Sequence, residues 1–375
     1  MLKNLRQNRT RTFIICSALF LLAGIIYWRT SATIRSEPVT EAPQPLSSPP
    51  QRARSTPPPE IPALSHKSTQ LLEHIRSETA TYESALKSGE IEFTVTISSA
   101  TQIPIPPGTE PNYEEQEHWQ ITYQFDGDYQ FYDVKTRKKM ELDRRTSSDN
   151  WADTHHQYLR AGQMMHVWEK TGTEWKQHPP KKIYLTPFKD AFNPRGWGWS
   201  PSGFALQRFL DRLNVVDVKT VNRRGTHCLY LRLYNPGTER LDSNTTYEVW
   251  LNPEKGYHAT EVIGYERGIA ESFRLDPDGT RIFNTRPFLG ITHTTYHIER
   301  YEPEIWLPQK VVKVDTDRRE LTELFPNRSI EDFPLLMNEA RIPEATRTQH
   351  MQPYFISVMK VELAIFNTPI TRKQP

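Results

Sequence analysis

The stretch Gly89-Glu-Ile-Glu-Phe-Thr-Val-Thr-Ile97 decides the fold class, because apolar and polar residues alternate along it without a break. Side chains of a β-strand point to opposite faces in turn, so this period of two predicts a strand with one buried and one solvated face. The same alternation returns at residues 119–125 (WQITYQF), and Asp126-Gly127-Asp128 follows as a turn. Successive strands joined by short turns predict an antiparallel sheet.

Further strand signals continue from this stretch toward the C-terminus. A hairpin is predicted between Trp168 and Trp175, turning at Gly172. The charged runs at residues 114–117 and 137–139 are predicted to be solvated loop ends. Other strands are predicted at residues 129–134, 228–234, 246–251, 259–265, 270–275, 292–300, 306–315 and 354–366, with Pro- and Gly-containing turns at residues 252–256 and 276–279.

A helix is predicted before the first strand, at residues 65–87. Ser68 or Thr69 is predicted to cap it and Gly89 to end it. A second helix is predicted at about residues 202–213, and a polar loop with a short helix at residues 320–349. The fold class is therefore α+β. The apolar residues that fall near one face of the first helix, at the 3.6-residue spacing, are Leu71, Leu72, Ile75, Tyr82 and Leu86.

The N-terminus is predicted to anchor the chain in a membrane. Residues 13–28 (FIICSALFLLAGIIYW) contain no charge and no proline, and as a helix they would span about 24 Å of a hydrocarbon core about 30 Å thick. Tyr27 and Trp28 occupy the position of an interfacial aromatic belt. The basic segment 1–12 predicts a cytoplasmic N-terminus, which makes the chain a single-pass protein of the inner membrane with a periplasmic main domain. A cleaved signal peptide is the alternative.

A proline-rich linker is predicted between the anchor and the body. Residues 29–64 hold nine of the 30 prolines, with Ser and Thr between them. Such a segment has too little apolar surface to offset the entropy of ordering, so it is predicted to be a disordered spacer. Residues 65–375 then form the β-rich extracytoplasmic domain.

The composition excludes several classes of protein. Cys16 and Cys228 are too few for a disulfide scaffold or a cysteine-rich zinc module. Six basic residues precede the first acid, Glu37, so the remainder has 41 basic and 45 acidic residues. Because this slightly acidic body offers no field that neutralises phosphates, nucleic acid is not expected as a partner.

The order of these elements resembles a known bacterial family. An export segment, a Leu-rich amphipathic helix and the strand at residues 89–97 are followed by a meander, which includes residues 119–125, 158–168 (YLRAGQMMHVW), 247–257 (YEVWLNPEKGY) and 304–311 (EIWLPQKV). Over residues 69–314 this layout is similar to the periplasmic lipoprotein-carrier superfamily, which includes the lipoprotein localisation carriers and the outer-membrane lipoprotein-sorting proteins. The resemblance implies an incomplete antiparallel β-barrel, or curved sheet, that wraps one or two helices and encloses an apolar cavity for acyl chains. Unlike the soluble carriers, this chain is longer and carries a predicted anchor.

Large aromatic residues are the candidate ligand site. An incomplete barrel needs bulky inward residues, either to fill it or to line a cavity. Two of the tryptophans lie in the loop Gly196-Trp-Gly-Trp199, where they form either the lip of a cavity or a plug over the barrel mouth. An ordinary aromatic core is the alternative for the whole set. The candidates are Phe93, Trp119, Tyr123, Phe125, Trp168, Trp197, Trp199 and Trp250.

Signals for catalysis and metal binding are weak. Ser84-Ala-Leu-Lys87, Ser148-Asp-Asn150 and Lys170-Thr-Gly172 match, in order, the three motifs of penicillin-interacting serine enzymes. Only 19 residues separate the second motif from the third, which leaves no space for the helical domain that the family places there. His293 and His297 would lie on one face of a strand about 13 Å apart, too far for one metal ion. No cofactor and no metal are predicted.

The sequence therefore predicts a membrane-anchored envelope protein with a non-catalytic domain that binds lipid, lipoprotein acyl chains or another apolar ligand. The alternative is a regulatory or scaffold protein that binds another envelope protein, and a penicillin-interacting serine enzyme ranks third. A contiguous apolar cavity of at least about 300 Å³ would favour ligand binding, whereas a filled interior would favour the scaffold.

Overall fold

The computed structural model describes much of the β-rich body. It covers residues 63–102, 105, 109–139, 151–161, 164–182, 210–211, 213–235, 244–275, 281–302, 305–316, 319–320 and 352–373. Within these ranges one complete α-helix, α1 (His66–Ala85), precedes the strands. The strands are β1 (Ser88–Ala100), β2 (Tyr113–Asp126), β3 (Tyr129–Lys139), β4 (Trp151–Ala161), β5 (Met164–Thr171), β6 (Glu174–Lys182), β7 (Asn214–Arg223), β8 (Thr226–Asn235), β9 (Asn244–Asn252), β10 (His258–Leu275), β11 (Arg281–Glu302), β12 (Ile305–Thr316), β13 (Arg319–Glu320) and β14 (Pro353–Phe366).

The described strands form one open antiparallel sheet. Their order is β6-β5-β4-β3-β2-β1-β14-β12-β11-β10-β9-β8-β7, and the short β13 pairs with β11. Gly127 and Gly172 stand in the two-residue turns β2–β3 and β5–β6, with the left-handed φ values of 57° and 65° that these hairpin turns favour. Because β6 and β7 end the order, the sheet formed by the described strands is open. The predicted open antiparallel sheet with a helix is thereby confirmed.

One face of the sheet, called the inner face below, packs with α1 into the main hydrophobic core. This core contains residues of α1, β1–β3, β7–β12 and β14. Tyr82 of α1 donates a hydrogen bond to the main-chain carbonyl of Trp306 in β12 at 2.5 Å, and Ser68 donates to the carbonyl of Val218 in β7 at 3.1 Å. Bulges in β1–β14, β1–β2, β9–β10 and β11–β12 help the sheet to bend around the helix.

The helix boundaries differ from the prediction. The N-cap is Ser65, whose hydroxyl accepts a hydrogen bond from the Ser68 amide at 3.2 Å, so the expected cap at Ser68 or Thr69 is wrong. The helix ends at Ala85, and Gly89 lies inside β1. Gly89 is required there by packing, because a Cβ atom would lie 2.7 Å from the ring of Phe125.

Several strand predictions also need correction. β7 was not predicted, and of β4 only residues 158–161 fell within the predicted meander. Residues 259–265 and 270–275 form one strand, β10, rather than two. The charged runs at residues 114–117 and 137–139 lie within β2 and β3 and are not loop ends. β6 contains Pro179 and Pro180, which a strand at the end of the sheet tolerates because one side of its backbone has no partner strand among the described residues.

Other predictions fall on residues that the structure does not describe. These include the anchor at residues 13–28, nearly all of the linker at residues 29–64, the turn at residues 276–279 and the loop at residues 320–349. Of the second predicted helix, only Leu210 and Asp211 are described as helical. Among the described helices, none is long and apolar enough to cross a membrane.

Candidate functional site

The predicted cavity residues of β1 and β2 pack into the core of the inner face. Phe93, Tyr123 and Phe125 are at most 3% exposed. The rings of Tyr123 and Phe125 stack with their centres 5.4 Å apart, and Tyr123 also stacks on Tyr132 of β3 at 4.4 Å. Trp119 is half-buried against the same cluster. This packing corresponds to the alternative of an ordinary aromatic core.

The remaining candidates do not join this cluster. Trp250 belongs to a second hydrophobic cluster on the opposite, outer face, where it contacts Tyr230 at 5.5 Å and lies beneath the guanidinium of Arg223 at 4.3 Å. Trp168 lies on the outer face of β5, stacked on His166 at 6.0 Å. Trp197 and Trp199 lie outside the described residues. The described candidates are therefore divided between the two faces of the sheet.

A large groove crosses the outer face of β2 to β5, and it will be called the basic groove. Its volume is about 810 Å³. Lys135 and Arg137 of β3 pair directly with His155 and Asp153 of β4, so the pairing register places these four side chains on one face. The lining is polar, and it consists of Glu115, His118, Gln120, Lys135, Thr136, Arg137, Asp153, Thr154, His155, Lys170 and Gly172.

A smaller groove continues from it across β1 toward β14, and it will be called the acidic groove. Its volume is about 330 Å³, and it shares Gln120 and Lys135 with the basic groove. Three carboxylates line it, those of Glu92, Asp133 and Glu362. Because they share Gln120 and Lys135, the two grooves adjoin each other, and together they will be called the channel.

Aromatic rings hold two cations of the basic groove in position. The guanidinium of Arg137 lies 4.8 Å from the ring centre of Trp151, and the ammonium of Lys170 lies 5.9 Å from that of Trp175. Such cation–π contacts orient a charge without neutralising it. Beside them, Asp133 and His155 form a hydrogen bond, with the His155 Nε2 atom 2.5 Å from the carboxylate.

A second polar cluster lies on the outer face of β7, β10 and β11. The Glu261 carboxylate, only 6% exposed, accepts hydrogen bonds from the Arg223 guanidinium at 2.8 and 2.9 Å and lies 2.8 Å from Nε2 of His293. Burial alone would raise the pKa of the Glu261 carboxyl, but the hydrogen bonds from His293 and Arg223 outweigh burial and lower the pKa to about 2. This saturated ion-pair network ties three strands together and leaves little capacity for a ligand.

The described members of the three catalytic motifs do not come together. The Ser84 hydroxyl donates to the carbonyl of Thr81 at 2.8 Å on the exposed end of α1. Lys170 lines the basic groove on the opposite face of the sheet, and residues 148–150 lie outside the described residues. His293 is paired with Glu261 and His297 lies 3.3 Å from Glu299, so the two histidines have separate partners. The described geometry therefore offers no support for a serine nucleophile.

The sequence analysis missed the groove residues. His118, Gln120 and Thr122 are the polar positions that alternate with the apolar residues of β2, so the period of two did mark them as one face. Their proximity to Lys135, His155 and Lys170 depends on the register of four strands, one of which, β4, carries no clear alternation.

Comparison with known proteins does not identify the chain. No protein-family model matches it, and no curated protein matches it.

Proposed function

We propose that this chain is a single-pass protein of the bacterial inner membrane whose outward-facing body is a non-catalytic binding domain for another envelope protein. In this proposal the helix at residues 13–28 anchors the chain and the linker at residues 29–64 holds the body away from the bilayer. The body then acts as a scaffold or regulatory module.

The close packing of the described residues on the inner face is the observation that supports a protein partner. Tyr123 and Phe125 are almost completely buried, and they share one core cluster with Ile75 of α1. A carrier of acyl chains would need apolar walls facing an open cavity. The two connected grooves of the outer face are instead lined mainly by charged and polar side chains, which suit a polar protein surface.

Binding of lipid or lipoprotein acyl chains is the second candidate. The open, bent antiparallel sheet with an amphipathic helix on its inner face is the architecture that the resemblance to the lipoprotein carriers implies. Trp197 and Trp199 would form the cavity lip in that case.

Native mass spectrometry of the full chain, extracted from membranes in a mild nonionic detergent after brief cross-linking, distinguishes the candidates. If the body binds another protein, the spectrum should show a stoichiometric protein adduct and no bound lipid above the detergent background. A phospholipid or acylated peptide that is retained in stoichiometric amount through delipidating washes would favour the second candidate. A chain that carries neither adduct would contradict both.

A further inference from the structure

We propose that the channel formed by the basic and acidic grooves binds an extended peptide segment that carries carboxylates near one end and ammonium or guanidinium groups near the other. This inference rests on the proposed function, because it specifies how the partner protein would be recognised. The ligand class follows from four properties of the channel: its unpaired charges, their arrangement, its length and the occupied aromatic faces.

The first property is that charged side chains of the channel lack close ion pairs among the described residues. Lys135, Arg137 and Lys170 make no ion pair within the part of the chain that the structure describes, although all three line one groove. Glu92 and Glu362, exposed in the acidic groove, likewise have no cationic partner among the described residues; Glu362 only accepts a hydrogen bond from Thr94 at 3.4 Å. Both sets of charges therefore remain able to pair with a ligand.

The second property is the separation of the two signs. Lys135, Arg137 and Lys170 lie on β3 and β5, whereas Glu92 and Glu362 lie on β1 and β14. Glu115 and Asp153 reduce the positive charge of the basic groove but leave cations in excess there. A ligand of a single sign would be attracted at one end and repelled at the other, so a polyanion such as a nucleic acid does not fit.

The third property is length. Four strand spacings separate Glu92 in β1 from Lys170 in β5, which corresponds to about 19 Å at about 4.8 Å per spacing. An extended peptide covers this distance in about six residues at about 3.3 Å per residue. A compact zwitterion, such as a lipid headgroup or a single amino acid, would be too short to reach both ends.

The fourth property favours a charged ligand over a neutral glycan. Sugar rings need uncovered aromatic faces, but here Arg137 lies over Trp151 and Lys170 lies over Trp175. The rings therefore fix the positions of the Arg137 and Lys170 charges, which remain available to a charged ligand. A peptide supplies both the carboxylates and a backbone that hydrogen-bonds to Gln120 and to the neighbouring hydroxyl and imidazole groups.

Fluorescence anisotropy with three labelled octapeptides tests the proposal on the full chain in nonionic detergent. The first probe carries two lysines at one end, four serines in the middle and two glutamates at the other end; the second carries lysines at both ends and the third carries glutamates at both ends. Lys135→Glu and Glu92→Lys are compared with Lys176→Glu and Glu174→Lys. These controls make the same charge changes at exposed sites of β6 on the inner face.

The mixed probe should bind wild type more tightly than either single-sign probe. Each groove variant should weaken the mixed probe about fivefold or more, since reversal removes one attraction and adds one repulsion, while each β6 control stays within about twofold. Lys135→Glu should improve binding of the lysine probe, and Glu92→Lys that of the glutamate probe. Absence of binding, or equal losses in groove and control variants, would overturn the proposal. If both groove variants still carry the protein adduct of wild type in native mass spectrometry, that result would refute the channel as the binding site of the partner but would leave the proposed function standing.

Discussion

His258 makes the stability of this protein sensitive to mild acid. The ring is 1% exposed and packs edge-on against Tyr82 of α1 with ring centres 4.7 Å apart. Among the described residues, no hydrogen bond with acceptable distance and angles reaches either ring nitrogen of His258. The main chain of Trp306 is close enough to interact with the ring. Burial lowers the pKa of His258 from 6.5 to about 3, and the Trp306 backbone offsets only part of this effect.

The lowered pKa fixes the sign and the size of the effect. Between pH 6.5 and pH 3 the unfolded chain carries a proton on His258 that the folded chain excludes, so the free energy of unfolding decreases as the pH falls through this range. Integrated from pH 7 to pH 5, the two pKa values give a loss of about 2 kcal/mol. Glu261 adds little in this interval, because its stabilising effect is lost only as the pH falls below its unfolded pKa toward 2.

The measurement is urea unfolding of the full chain in nonionic detergent at the two pH values, followed by the fluorescence of its nine tryptophans. His258→Phe keeps a ring against Tyr82 but removes the titrating group. Wild type should therefore lose about 2 kcal/mol more than His258→Phe between pH 7 and pH 5. The exposed His74 supplies a matched control, because His74→Phe makes the same change of side chain outside the hydrophobic core.

Equal pH dependence in wild type and His258→Phe would refute the reasoning. If His258→Phe does not fold, NMR titration of the wild-type imidazole tests the same premise directly. A His258 ring that becomes protonated near pH 6 in the folded protein would contradict the burial argument.

Other substitutions test the packing and the ion pairs of the body. Gly89→Ala should lower the free energy of unfolding in urea by about 1–3 kcal/mol, because the added Cβ would overlap the ring of Phe125. An unchanged midpoint of unfolding would contradict that packing. Tyr82→Phe should cost about 1 kcal/mol through loss of the hydrogen bond to Trp306, measured in the same assay. Glu261→Gln should cost about 2–3 kcal/mol at pH 7 by leaving its cations unpaired, and it should flatten the acid unfolding of wild type between pH 4.5 and pH 2. A Glu261→Gln variant that unfolds in acid like wild type would show that other carboxylates dominate there.

The strands with one buried face were the predictable part of the fold. β1 alternates between buried residues such as Ile91 and Phe93 and more exposed neighbours, so its period of two is visible in the sequence. In β8 the residues from Cys228 to Tyr234 are all buried, and they contribute to both hydrophobic clusters. This strand was therefore predicted from its apolar composition rather than from alternation. In β7 and β4, charged and apolar residues follow one another without a clear period of two. Their strand conformation depends on hydrogen bonding to the neighbouring strands.

The binding channel could not be predicted because it arises from register rather than from any local pattern. Lys135 faces His155 through the pairing of β3 with β4, and Gln120 joins them only because β2 pairs with β3 in a fixed register. A slip of one residue in β3 would move Lys135 and Arg137 to the inner face and expose Val134 on the outer face. The burial of Val134 and Tyr132 therefore fixes where the cations stand. In this protein the hydrophobic core of the inner face determines the charge pattern of the outer face, so substitutions that shift the β3 register should abolish the basic groove without altering any residue that lines it.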